Sequence, residues 1–353
     1  MKKILFSLLI FTAFLIGGWW INSFRSFGPS AVLNKVNFLK SNKVNSANVN
    51  SPASALKVIF FDIGQGDSAL ILTPQGKKIL VDGGPDDKVL SKLGKYLPLR
   101  DKKIDVMILT HPHADHLEGL ISVLRRYEVG EVYYSGMIHT TAGFLEWLKL
   151  IKEKDISMKI IKKRETVEIG GVNLDFLYPD RDLSLGAVSS AAGTAGGNGA
   201  TDISDSEQES KYKSNGNLNN TSVVFKLSFG RTSFLFMGDA EKEVEEILLK
   251  KCGDNINDNI KEEALNKVKT ENGDCFLKAD VLKAGHHGSH TSSGEEFLRA
   301  VKPKQAIISV GKDNDYGHPH LRVLRRLERL GIKILRTDEI GDIEMMSDGM
   351  IIK

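Results

Sequence analysis

Hydrophobic and polar positions fall along this chain in distinct textures. Ile4–Ile21 (ILFSLLIFTAFLIGGWWI) is an uncharged run of eighteen residues, almost wholly apolar. At ~1.5 Å per helical residue such a run covers roughly 27 Å, about the hydrocarbon thickness of a bilayer. Lys2 and Lys3 precede it, and Trp19 and Trp20 close it where indoles favour the interface. Residues 1–21 therefore predict a single-pass anchor. The alternative is a signal peptide, although no small-x-small cleavage pattern follows. Residues 22–56 are rich in Asn, Ser and Lys, show no periodicity, and read as a solvated linker.

From Lys57 onward the pattern changes. KVIFFD, SALILT, KKILVD and DVMILT are short apolar runs bounded by Gly, Pro and Asp, and each predicts a strand. Leu117, Leu120, Ile121 and Leu124 recur at helical spacing and predict a helix over His116–Tyr127. Strand texture returns at Ser222–Phe229 and Thr232–Met237 around a Gly230-Arg231 turn, then at Asp280–Lys283, Ala306–Val310 and Lys333–Leu335. A basic amphipathic helix fits His320–Leu330. Two stretches interrupt this domain. Residues 181–220 contain GAVSSAAGTAGGNGATDISDSEQES, which buries too little apolar surface to offset its ordering entropy. Residues 252–275 read as a second, more helical and charged insertion. The expected organisation is thus a membrane segment, a linker and one α/β domain over 57–353, whose two successive β-rich halves suit a two-sheet sandwich.

Composition adds little until the histidines are located. The 353 residues are 41% apolar and 26% charged, which excludes a disordered chain, a collagen, a coiled coil and a multi-span membrane protein. A net charge of +3, from 48 basic and 45 acidic residues, is too mild to argue for nucleic acid. Two cysteines, Cys252 and Cys275, exclude a disulfide framework or a cysteine zinc finger, leaving one disulfide or two inert thiols. Of nine histidines, eight sit in three tight groups, and only His139, in a loop-like MIHTT context, stands apart.

The decisive group is His111-Pro112-His113-Ala114-Asp115-His116, directly after the DVMILT strand and at the start of a helix. Four imidazole or carboxylate donors in six residues at one strand-to-helix turn suit zinc, and also manganese or iron. Asp239 follows the strand FLFM. His286 and His287 follow another strand, within LKAGHHGS. Three strand ends offering His, Asp and His read together as a binuclear metal site.

These segments resemble the metallo-β-lactamase superfamily, and more narrowly the extracellular metallo-β-lactamase-like domain of the ComEC competence (DNA-uptake) proteins and their stand-alone relatives. The match is carried by Asp62-Ile63-Gly64-Gln65-Gly66-Asp67-Ser68, Asp82-Gly83-Gly84, the HPHADH turn, Asn219-Asn220-Thr221-Ser222, Met237-Gly238-Asp239, the LKAGHHGS run and Tyr316-Gly317-His318-Pro319-His320, in the family's order over about residues 57–350. The resemblance implies a four-layer αββα sandwich with one or two divalent ions, zinc or manganese, at one edge between the sheets. It also implies that His111 and His113 serve one ion, Asp115 and His116 the other, and that Asp239 bridges. Of the adjacent pair, His286 is expected as the second-site ligand and His287 as the alternative, because successive side chains on a strand end point opposite ways. The third histidine that many superfamily members supply to the first site is missing. Asn219-Asn220-Thr221-Ser222 stands there instead, making Asn220 and Ser222 weak, hard alternative ligands.

Hydrolysis is the chemistry expected of such a site. Asp115 would be both ligand and proton acceptor, while Lys283, His318 and His320 would stabilise charge on a phosphoryl oxygen or leaving group. Arg322, Arg325, Arg326 and Arg329 share one helix face and are candidates to track a phosphate backbone. Seven further basic residues lie between Lys149 and Arg164. The expected function is a metal-dependent phosphodiesterase, a nuclease acting on DNA and linked to DNA uptake. It would be held at the cell membrane with its catalytic domain outside, or else secreted after signal cleavage. A hydrolase of lactam, lactone or thioester bonds and a non-catalytic cell-surface binding module are the competing readings.

Overall fold

The computed structural model describes residues 55–184, 217–257 and 275–353. The expected anchor at 1–21, nearly all of the linker at 22–56 and the centres of both insertions lie outside the described residues. Among the described residues no helix is long and apolar enough to cross a membrane.

Two seven-stranded sheets form the centre of the domain. The first runs in the order β14 (Ile343–Ser347), β1 (Leu56–Phe60), β2 (Ala69–Leu72), β3 (Lys78–Val81), β4 (Lys103–Leu109), β5 (Glu128–Tyr134) and β6 (Ser157–Ile160). The second runs β13 (Lys333–Arg336), β12 (Gln305–Ile308), β11 (Val281–Lys283), β10 (Thr232–Phe236), β9 (Val224–Phe229), β8 (Val172–Tyr178) and β7 (Glu165–Ile169). Both sheets are mixed: β3 to β6 pair in parallel, as do β10 to β13, and the remaining neighbours are antiparallel.

The strands read as near-continuous apolar runs because both of their faces are covered. Val58, Phe60, Ile79, Val106 and Ile108 face Phe176, Phe225, Phe234 and Phe236 of the other sheet in a central core. Their sequence neighbours Ile59, Leu80, Met107 and Leu109 pack outward against α1 (Lys88–Tyr96), α2 (Ala114–Arg126) and α3 (Ala142–Glu153). On the far side, Leu235, Leu282, Ala306 and Ile308 pack against α4 (Lys242–Asn257), α5 (Glu295–Val301) and α6 (Leu321–Arg329). A short α7 (Thr337–Ile340) leads into β14. This is the expected αββα sandwich. The helix expected over His116–Tyr127 starts two residues earlier, and Gly230-Arg231 forms the expected hairpin between β9 and β10. A disulfide joins Cys252 to Cys275, with Cα atoms 5.4 Å apart.

Candidate metal centre

Four parallel strands end at the same edge of the sandwich, and their C-terminal turns build the site. β3 delivers Asp82, β4 delivers His111, His113, Asp115 and His116, β10 delivers Asp239, and β11 leads to His287. Donor atoms of Asp115, His116, Asp239 and His287 lie within 4.8 Å of one another, as do those of His111, His113 and Asp239. Asp239 belongs to both groups. Its Oδ1 is 3.3 Å from His116 Nε2, and its Oδ2 is 3.5 Å from His287 Nε2 and 3.8 Å from His111 Nε2. His287 Nε2 is 3.3 Å from Asp115 Oδ2.

Most of the donors are buried, and their charges oppose the cost of that burial. His111, His116, Asp239 and His287 are all essentially buried. Burial opposes the charged form of His116, yet Asp239, Asp115 and Asp82 hold its pKa well above the imidazole range. The same conflict, with Asp239 and Asp67 as the anions, raises His287 well above that range. Burial and then repulsion from His116 push His111 far the other way. Burial also raises the cost of the Asp239 anion, but His287 and His116 keep it well below the carboxylate range. His116 Nε2, His287 Nε2 and Asp239 Oδ1 are buried without a hydrogen-bond partner. Buried polar atoms left facing one another in this way are costly unless a cation lies between them, so the donor set fits divalent metal.

A layer behind the donors fixes their orientation. Asp82 accepts from the Thr110 N–H and hydroxyl, both at 2.8 Å, and its Oδ2 sits 2.9 Å from His116 Nδ1. That contact leaves Nε2 as the free nitrogen, the usual carboxylate–histidine arrangement at a metal. Asp82 holds a left-handed φ of 55°, a strain maintained by these three contacts. His287 Nδ1 is 2.9 Å from the Ser309 carbonyl and 3.3 Å from Asp67 Oδ1. Ser222 Oγ accepts the Asp239 N–H at 3.0 Å and lies 3.3 Å from His111 Nδ1. Gly66 lets the Asp62–Ser68 loop press on the HPHADH turn, where a Cβ would meet the Asp115 carbonyl at 2.2 Å.

Several expected site residues take other places. His286 turns away from the cluster, with Nδ1 2.9 Å from Glu241 Oε1 and 3.1 Å from Thr291 Oγ1. The pair does not continue β11 as a strand end. Both residues adopt left-handed conformations, φ 48° and 52°, in a tight turn over Gly285–Gly288, so alternation along a strand does not govern them. Asn220 accepts the Glu241 N–H and donates to Glu243, away from the donor groups, while Asn219 faces the cleft. Ser222 stands behind His111 rather than among the donors.

Lys283 is buried against Asp67 at 2.7 Å and the Ala284 carbonyl at 2.9 Å, and does not line the open cleft. His320 caps α6 by accepting the Arg322 N–H. His318 lines the cleft. Of the arginines, Arg326 donates to the Ser293 carbonyl and Arg329 pairs with Glu295, whereas Arg322 and Arg325 are exposed and pair with no carboxylate among the described residues. Asp82 and Asp67, whose motifs carried the resemblance, had no expected role. Their sequence signal was a carboxylate at a Gly-rich turn beside an apolar strand.

The open side of the cluster is a cleft of about 270 Å³, lined by Gln65, His113, Asp115, His287, Tyr316 and His318 among others. Burial and repulsion from His286 and His287 lower the His318 pKa to about 4, so a neutral imidazole faces the cleft at pH 7.

A family model described as the metallo-beta-lactamase superfamily matches residues 62–312. ComE operon protein 3 of Bacillus subtilis (strain 168) is 30% identical over 305 residues, covering 82% of this chain and 32% of that protein. Competence protein ComA of Neisseria gonorrhoeae is 26% identical over 300 residues, covering 83% of this chain and 32% of that protein. Exodeoxyribonuclease WalJ of Streptococcus pneumoniae (strain D39) is 26% identical over 113 residues, 32% of this chain and 40% of that protein. The chain spans about a third of the length of the first two relatives.

Proposed function

Since the chain belongs to the metallo-beta-lactamase superfamily, a family of metal-dependent hydrolases, we propose that it is a phosphodiesterase acting on DNA. The observation that carries this reading is the sharing of Asp239 between two donor groups that open on one cleft. A carboxylate shared between two such groups suits a hydrolytic site that holds two ions close together. Asp115, His116, Asp239 and His287 would hold one ion, and His111, His113 and Asp239 the other. Zinc or manganese bound there would lower the pKa of water towards neutrality and polarise a phosphoryl oxygen.

The chain's own residues supply the remainder. Asp115 is the most exposed carboxylate of the cluster, its side chain 31% exposed, and it lines the cleft. It is therefore the carboxylate placed to orient a water on the cleft side by accepting its hydrogen bond. Neutral His318 can donate a hydrogen bond to a phosphoryl or leaving-group oxygen. Arg322 and Arg325 offer unpaired charge to a flanking phosphate. The choice of DNA is supported by the competence and exodeoxyribonuclease names of the relatives. The Cys252–Cys275 disulfide supports an oxidising, extracytoplasmic compartment, with residues 1–21 proposed as the membrane segment.

The test uses the full chain loaded with manganese or zinc and an end-labelled single-stranded DNA. Cleavage that EDTA abolishes, and that Asp239→Ala lowers at least a hundredfold (roughly 3 kcal/mol of lost transition-state stabilisation), is the expected result. A metal-loaded protein that leaves DNA and simple phosphodiesters intact but opens a lactam or thioester would overturn it.

A further inference from the structure

Tyr316 is a large ring left 71% exposed on the rim of the metal cleft. A single exposed aromatic is ordinary by itself, but this one is built into its position. Its ring lies 5.9 Å from that of His318 and 24° from parallel. His318 in turn lies 6.5 Å from His287 and 27° from parallel, so near-parallel rings step outward from the donor cluster to solvent. The turn that presents Tyr316 is pinned by one side chain. Asn314 Oδ1 accepts the N–H groups of Tyr316 at 3.2 Å and His318 at 3.0 Å, and its Nδ2 donates to the carbonyls of Gly311 at 2.9 Å and His318 at 2.6 Å. Lys312, Asp313 and Asp315 are exposed in the same turn, so it carries one net negative charge and offers a ring face rather than a cationic patch.

We infer that Tyr316 is a stacking platform for an unpaired nucleobase of the strand whose phosphate enters the cleft. This inference rests on the phosphodiesterase reading and narrows its substrate to single-stranded DNA. In a duplex both faces of a base are covered by its neighbours, and only an unstacked base can lie on a protein ring. The phenol ring lies beside His318 and is otherwise largely exposed. The charge that holds the backbone comes from Arg322 and Arg325, a few residues along the chain on α6. Stacking of this kind tolerates any base, so the platform selects strandedness and not sequence.

The experiment measures binding of the full, manganese-loaded chain to two fluorescein-labelled phosphorothioate strands of equal length, one of oligothymidylate and one abasic. Their phosphorothioate backbones resist turnover. The wild type is expected to hold the base-bearing strand roughly five- to hundredfold more tightly. Tyr316→Ala is expected to remove that advantage without changing abasic binding or metal content, and Tyr316→Phe to keep it. Equal binding of the two strands by the wild type, or an advantage that survives in Tyr316→Ala, overturns the inference. An ordinary DNA strand that binds with the base advantage yet is never cleaved sinks the phosphodiesterase reading and leaves the platform standing. Cleavage without a base advantage does the reverse.

Discussion

His286 and His287 share a sequence motif and a turn but not a role, and the difference is measurable one side chain at a time. His287 is buried with Nε2 beside Asp115 and Asp239, while His286 is partly buried against Glu241. Removing a metal ligand costs more than the 10–100-fold typical of an outer partner. His287→Ala is therefore expected to weaken manganese or zinc binding by at least roughly a hundredfold, and His286→Ala by less than about tenfold, in a chelator-competition titration. The opposite order would return the ligand role to His286. The clustering of His111, His113, Asp115, His116 and Asp239 was legible because one strand-to-helix turn and one strand end carry them. The order within the His pair was not legible, because it depends on backbone dihedrals that only the surrounding turn imposes. The place of Lys283 was not legible for a related reason: Asp67, far away in sequence, pairs with its ammonium.

Among elements, the approach of α2 to the turn after β3 sets where His116 stands. Gly83 N–H donates to the His116 carbonyl at 2.7 Å and Gly119 N–H to the Gly84 carbonyl at 3.0 Å. A Cβ on Gly119 would lie 1.9 Å from the Gly83 carbonyl oxygen. Gly119→Ala must push the helix off the turn, at about 1–3 kcal/mol of stability, and carry His116 away from Asp82. Chemical denaturation together with a metal titration reads both effects, and a variant normal in both would refute this account.

On the opposite layer, Glu245 of α4 accepts the Ser293 and Gly294 N–H groups ahead of α5. Burial raises its pKa from 4.5 to about 7, with the Gly294 and Ser293 N–H bonds, and then Arg326 and Lys242, only partly offsetting it. The folded state therefore holds this proton more tightly than the unfolded chain. Its stabilising contribution is complete below about pH 4.5 and is lost as pH rises to about 7. The stability of wild type relative to Glu245→Gln should fall by on the order of 3 kcal/mol across that window, measured by urea titration at each pH. A flat difference curve would show that Glu245 titrates normally.

For the molecule as a whole, one covalent link ties α4 to the chain just before β11. With Cys252 and Cys275 separated by 23 positions, closing the loop removes unfolded-state entropy worth roughly 3 kcal/mol. Cys252→Ser, or reductant added to wild type, should lower the thermal midpoint accordingly while leaving metal stoichiometry intact. An unchanged midpoint would mean that the bond carries no stability. The sequence by itself determined the two-sheet architecture, since apolar runs covered on both faces alternate with amphipathic helices, and it determined the donor types, since local spacing fixes what one turn can present. Only the tertiary structure decided that Asp239 is common to two donor groups, that Asp82 and Asp67 stand behind the imidazoles, and that two of four arginines are spent on Ser293 and Glu295. Those outcomes depend on which strand ends meet across the sandwich, and a pairing between distant segments leaves no period in the chain that forms it.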